Sequence, residues 1–148
     1  MSHFHDHFKT EFNSLYELAD GTFAKRGMSL NAFLNKANEL IHYLTIHHTI
    51  EERHIFPVLA KRMPMFAMEN DGVHLESHKG IHHGLEDLTN LVTKYKKDPT
   101  SYKPEEFRAC LDSWRQVLFT HLDDEVADLK GENMKKYWTL AEVDRIPM

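Results

Sequence analysis

The chain of 148 residues is 41% hydrophobic and 28% charged, an ordinary balance for a soluble globular protein and long enough to bury one proper core. A formal charge of −5, with Lys and Arg scattered, supplies neither the basic stripe that nucleic acid requires nor a polybasic membrane patch. Cys110 is the single cysteine, the start MSHFHDHFKTEF lacks the regions of a signal peptide, and no apolar run approaches the ~20 residues of a bilayer span, so an intracellular, cytoplasmic protein is expected.

Apolar residues recur at spacings of three and four along four segments, which predicts helices. The first carries Phe4, Phe8, Phe12, Leu15 and Leu18 and stops near Gly21. The second starts after Ser29, a good N-cap, and runs through Leu34, Ala37, Ile41, Leu44, His48, Glu51 and Ile55, where Pro57 kinks or shortens it. The third carries His74, His78, Ile81, Leu85, Leu88, Val92 and Tyr95. The fourth carries Phe107, Leu111, Trp114, Leu118, His121 and Glu125, with Pro104 suited to its first turn. The stretches MPMFAMENDG and KKDPTSYKP read as loops, and TLAE at 139–142 reads as the capping box of a last short helix. The expected fold is all-α: an antiparallel up-down-up-down four-helix bundle over residues 1–130, with a helical extension over 131–148 packing on it.

The polar residues sit on the wrong face. His48, Glu51, His74, His78, His121 and Glu125 share the register of the apolar stripes and so point at the core. Two buried carboxylates without partners cost several kcal/mol each. No Lys or Arg falls in those registers, which leaves a bound cation as the simplest partner. Spacing agrees: His47 and Glu51, His78 and His82, and His121 and Glu125 are i, i+4 pairs, each able to offer two donors to one centre. With one or more histidines from the first helix the donors number about seven, too many for a tetrahedral zinc and suited to two ions sharing carboxylates. In HHTIEE, His48 with Glu52 satisfies the same spacing as His47 with Glu51, and only one of the two pairs can point fully inward. A lone histidine on an apolar face is more often a core residue than a ligand. On that ground His5, His42, His54 and His83 are assigned to the surface, while His3 and His74, each one turn from a candidate donor, stay open. Met63, Met65 and Met68 are read as loop packing and Cys110 as a structural thiol.

The pieces HFKTEFNSLYEL, HHTIEERHIFPVL, SHKGIHHGLEDL and HLDDEVADL, in this order, resemble the hemerythrin-like family, the HHE cation-binding domain, over about positions 3–130. The resemblance implies a first shell of His7, His47, Glu51, His78, His82, His121 and Glu125. His78, His82 and His121 would hold one iron, and His7 and His47 the other. Glu51 and Glu125 would bridge the two iron ions, together with an oxo or hydroxo group. His48 and Glu52 are left as outer or surface residues. The respiratory members place an Asp five residues after the last histidine, whereas Glu125 stands four after His121. That departure bears on dedicated oxygen transport more than on metal binding.

The implied function is a non-haem di-iron protein that binds O2 or a related small ligand, or senses iron or oxygen. Five imidazoles and two carboxylates favour this over oxygenases, whose helical sites are carboxylate-rich with Glu-x-x-His pairs. The alternative is a di-iron oxidoreductase (oxygenase, oxidase or peroxidase) acting on O2, peroxide or nitric oxide with a small organic substrate.

Overall fold

The computed structural model describes residues 2–67, 73–143, 145 and 146, without the side chains at 2, 3 and 132. Met68, the rest of the 68–72 connection and the side chain of His3 therefore lie outside the described residues. Within them the chain is helical and has no strand. Four long helices carry the fold: α1 (Ser2–Leu18), α3 (Leu30–Ile50), α5 (Val73–Lys97) and α6 (Pro104–Asp128). Short helices fill the connections and the tail: α2 (Thr22–Lys25), α4 (Phe56–Leu59), α7 (Gly131–Met134) and α8 (Leu140–Val143). No helix among the described residues is long and apolar enough to cross a membrane.

The boundaries follow local chemistry. After α1 the chain turns at Gly21 with φ of 106°, a conformation that costs glycine nothing. Ser29 caps α3 by accepting a hydrogen bond from the Ala32 N–H at 3.0 Å. Pro104 opens α6, where its missing N–H is no loss. In the tail, Thr139 and Glu142 exchange side-chain and backbone hydrogen bonds at 3.0 and 3.2 Å, the reciprocal box that TLAE predicts. At Pro57 the second helix does change form. Residues Glu51–Ile55 widen into a π-helical turn, with the Phe56 N–H bonded to the Glu51 carbonyl, before α4 resumes. Proline cannot donate to the carbonyl four residues back and its ring crowds it, so the ladder loosens just ahead of it. The widened turn puts the consecutive residues Ile55 and Phe56 both into the interior.

Helix α1 packs on α3 and α6, and α5 packs on the same two helices, so all four enclose one core. At the end holding the α1–α3 and α5–α6 connections that core is hydrocarbon: Phe12, Leu15, Phe33, Leu34, Leu44, Leu88, Tyr95, Phe107 and Leu111 are fully buried. A second apolar cluster forms from Ile55, Phe56, Leu59, Met63 and Phe66 with Met134 and Ile146, and Tyr137 and Trp138 pack against it. The tail thus closes over the chain that comes after the π-turn, and Arg62 fastens it through Glu142 at 2.6 Å and by lying over the Trp138 ring.

Two glycines of α5 face α6 with opposite consequences. A methyl group on Gly84 would overlap the Trp114 ring root and lie 2.7 Å from Trp114 Cβ, whereas one on Gly80 would meet Val117 at an ordinary 3.4 Å. Gly84→Ala is therefore expected to destabilise the fold by about 1–3 kcal/mol through overpacking. Gly80→Ala is expected to stabilise it by up to about 1 kcal/mol through helix propensity. Urea unfolding of the two variants checks the opposite signs.

Candidate metal centre

Beyond the hydrocarbon core the four helices turn imidazoles and carboxylates inward. α1 contributes His5, α3 contributes His47 and His48, the π-turn contributes Glu51, α5 contributes His74 and His78, and α6 contributes His121 and Glu125. All but half-buried His47 are buried. Their donor atoms converge. His78 Nε2 lies 2.9 Å from His121 Nε2, His121 Nε2 lies 3.0 Å from Glu125, and His5 Nε2 lies 3.5 Å from the other Glu125 oxygen. His47 Nε2 touches Glu51 at 2.6 Å, and His74 Nδ1 lies 3.4 Å from His121 Nδ1. Donor atoms of His5, His47, Glu51 and Glu125 fall within 4.8 Å of one another, as do those of Glu51, His78, His121 and Glu125. The two carboxylates belong to both groups.

Three rings are anchored on their outer side. His5 Nδ1 donates to the Leu122 carbonyl at 3.0 Å, His78 Nδ1 to Glu52 at 2.9 Å, and His74 Nε2 to Asp128 at 2.7 Å. An acceptor on one ring nitrogen keeps the hydrogen there and leaves the inner nitrogen as a free lone pair, which is how metal-binding histidines are oriented. Aromatic faces complete the wall. Phe66 stacks on His74 with centroids 4.5 Å apart, and Phe56 lies 5.1 Å from His78.

The inner atoms lack ordinary partners. Both oxygens of Glu51, both of Glu125, and Nε2 of His5, His47 and His48 are buried without an aligned hydrogen bond. The 2.6 Å approach of His47 to Glu51 is close but misdirected. Burial, together with the adjacent Glu125 carboxylate, pushes the Glu51 carboxyl far above its usual range. Burial works the same way on Glu125, but the His121 and His5 ring nitrogens beside it, at 3.0 and 3.5 Å, outweigh it and hold that carboxylate low. Without a cation the pair therefore keeps one proton between them. Burial also lowers His47 to about 4 and His78 to about 3, and lowers His48 and His74, in the last case against the pull of Asp128. Neutral imidazoles beside paired carboxylates, with lone pairs aimed at one another, are a donor set that a cation satisfies and hydrogen bonds do not.

The sequence-derived candidates divide. His47, Glu51, His78, His121 and Glu125 meet in the cluster. His7 and His82 do not: both are exposed, and His82 pairs instead with Glu86 on the surface at 3.2 Å. His5, expected at the surface, joins the cluster, and His74, left open, is buried beside it with its Nδ1 3.4 Å from His121 Nδ1. Of the two HHTIEE pairs, His47 and Glu51 both face the cluster; His48 is buried beside it, while Glu52 lies part-exposed as the anchor of His78. Helical geometry explains the exchange on α5 but not on α1. At ~100° per residue His82 stands ~90° from the centre of the α5 stripe on which His74 lies, whereas His5 and His7 stand ~80° to either side of the centre of the α1 stripe. The second H-x-x-x-H spacing, His74 to His78, was the usable signal. His42, His54 and His83 are exposed, as expected.

A helical bundle that turns five or more imidazoles and two carboxylates to a shared interior point is a cation-binding protein. A family profile for the hemerythrin HHE cation-binding domain matches residues 1–131, and the chain belongs to that family. It is also similar to a dimeric xanthone biosynthesis cluster protein of Cryptosporiopsis sp. (strain 8999), 30% identical over 150 residues that cover 96% of this chain and 54% of that protein. The chain thus spans about half the length of this curated relative. No solved structure matches the chain significantly.

The shifted groups set the pH dependence of the metal-free protein. Below the ordinary histidine value of 6.5 the unfolded chain takes up protons that buried His47, His48, His74 and His78 refuse, so stability falls as the solution is acidified. Glu51 acts oppositely: folded, it keeps a proton that the unfolded chain loses above 4.5, so stability falls as pH rises. Four imidazoles outweigh one carboxyl until each is only about a quarter protonated in the unfolded chain, which places the maximum at about pH 7. Thermal melts of chelator-treated protein are expected to show that maximum, and Glu51→Gln is expected to flatten the alkaline limb.

Proposed function

We propose that residues 1–130 form an antiparallel up-down-up-down four-helix bundle around a di-iron centre, with residues 131–148 as an extension packed on it. His5 and His47 serve one ion, His74, His78 and His121 serve the other, and Glu51 and Glu125 are shared between them. The observation that carries this reading is the buried carboxylate pair, whose four oxygens have no aligned hydrogen bond and are ringed by neutral imidazoles. Seven donors exceed the four that a structural zinc uses, and imidazole with carboxylate suits iron. When bound, an iron pair supplies redox electrons and an open position for a small ligand such as O2 or nitric oxide.

The chain's own residues bias the centre toward one use. Neutral nitrogen donors outnumber carboxylates, which favours reversible small-ligand binding or sensing over the high-valent chemistry of carboxylate-rich oxygenases. Phe56, Phe66 and the apolar cluster behind them keep water from one side of the centre. A second reading, a di-iron oxidoreductase acting on a phenolic aromatic, rests on two observations. The Cryptosporiopsis relative belongs to a cluster for dimeric xanthones, which are oxygenated aromatics, and a groove of about 320 Å³ between α3 and α5 reaches His48 and His78.

Two measurements test these readings. Metal analysis of anaerobically loaded protein is expected to give two irons per chain, falling in His5→Ala and His74→Ala and unchanged in His7→Ala and His82→Ala; the reverse pattern would restore His7 and His82 as ligands. Optical spectra of ferrous protein on admitting O2 then separate the functions. A charge-transfer band that vanishes on degassing identifies a binding protein, and one-way conversion to the diferric state identifies a sensor or an enzyme.

A further inference from the structure

His48 is a buried imidazole beside the centre that the seven-donor set leaves unused. Its Nε2 has no hydrogen-bond partner, and like His47 and His121 it carries no outer hydrogen bond of the kind that fixes His5, His74 and His78. Its ring stacks on His78 with centroids 3.8 Å apart and 15° between the planes, and it stands edge-on to His121 at 5.6 Å. Nitrogens of His48, His78 and His121 lie within 4.8 Å of one another. On its other side His48 lines the α3–α5 groove with Thr45, Thr49, Glu52, Lys79 and His82. His78 lines the same groove, so the two stacked rings stand together where the groove meets the centre.

A merely packed core histidine would be expected to place one ring nitrogen against an acceptor and the other against a donor, because an unpartnered buried nitrogen costs about 1–3 kcal/mol. His48 instead leaves a buried nitrogen bare near those of His78 and His121. The sequence supplies it through the doubled HH of HHTIEE: the first histidine spaces with Glu51, and the second reaches the opposite donor group.

Resting on the di-metal reading, we infer that His48 is an eighth donor to the centre: a displaceable imidazole on the ion held by His78 and His121, standing at the α3–α5 groove. It has no outer anchor and lines the groove, so a small anionic ligand arriving there binds by displacing it. His78, anchored on Glu52, and the two shared carboxylates hold the ion meanwhile.

Cobalt(II) loading with azide as the probe tests this without turnover. Wild-type protein is expected to hold two cobalt ions per chain. His48→Ala is expected to keep both, to show stronger visible absorption as one ion loses a ligand, and to bind azide at least tenfold more tightly. Free imidazole, entering the space left by the side chain, is expected to reverse both changes. His48→Gln, closer in length, should move absorption and azide affinity in the same direction and covers the case in which the alanine variant does not fold. Variants that hold two cobalt ions with wild-type absorption, wild-type azide affinity and no response to imidazole would overturn the role of His48. Wild-type protein that fails to hold two ions would overturn the di-metal reading itself.

Discussion

The structure depends on two carboxylates placed where a helical bundle ordinarily puts leucine. Glu51 and Glu125 are 1% and 0% exposed, each has both oxygens without an aligned hydrogen bond, and they are close enough to perturb one another in opposite directions. Two negative charges cannot share a dry interior unless a proton or a cation stands between them. A proton meets that need at the expense of one ionised group; a cation meets it and also satisfies the imidazole lone pairs around it. This need divides the interior. One end is packed with phenylalanine and leucine to hold the four helices together, and the other is left polar because its contents are not all protein.

Several features otherwise hard to place serve that polar end. The π-turn at Glu51–Ile55, imposed ahead of Pro57, lets one helix deliver Glu51 to the centre and then Ile55 and Phe56 to the apolar wall. Glu52, Asp128 and the Leu122 carbonyl hold three rings so that their free nitrogens face inward. The tail buries Met134 and Ile146 against the cluster that contains Phe56 and Phe66, so its packing supports the rings stacked on His74 and His78. Each of these contacts is ordinary in strength, and together they fix the rings of His5, His74 and His78 at the centre.

Much of this was legible in the sequence because periodicity carries direction. The apolar stripes placed His48, Glu51, His74, His78, His121 and Glu125 inward, and all six are buried. Ser29 and the Thr139–Glu142 box marked helix starts that the structure uses. Motif spacing taken without its stripe was less informative. His78 to His82 has the same interval as His74 to His78, so spacing alone could not choose, although the angular position on α5 could; on α1, His5 and His7 flank the stripe at equal angles, and the packing against α6 turns His5 inward. The outer anchors were not legible at all: pairing His78 with Glu52 or His74 with Asp128 requires the packing of separate helices. Nor could the sequence show that both histidines of HHTIEE reach the centre.

The most direct test of the central claim is infrared spectroscopy of the metal-free protein near neutral pH, continued through a titration with ferrous iron under anaerobic conditions. A protonated carboxyl band is expected that is absent in Glu51→Gln and that disappears as two ions per chain are taken up. A band that persists at full loading, or a titration complete with fewer than two ions, would contradict the central claim.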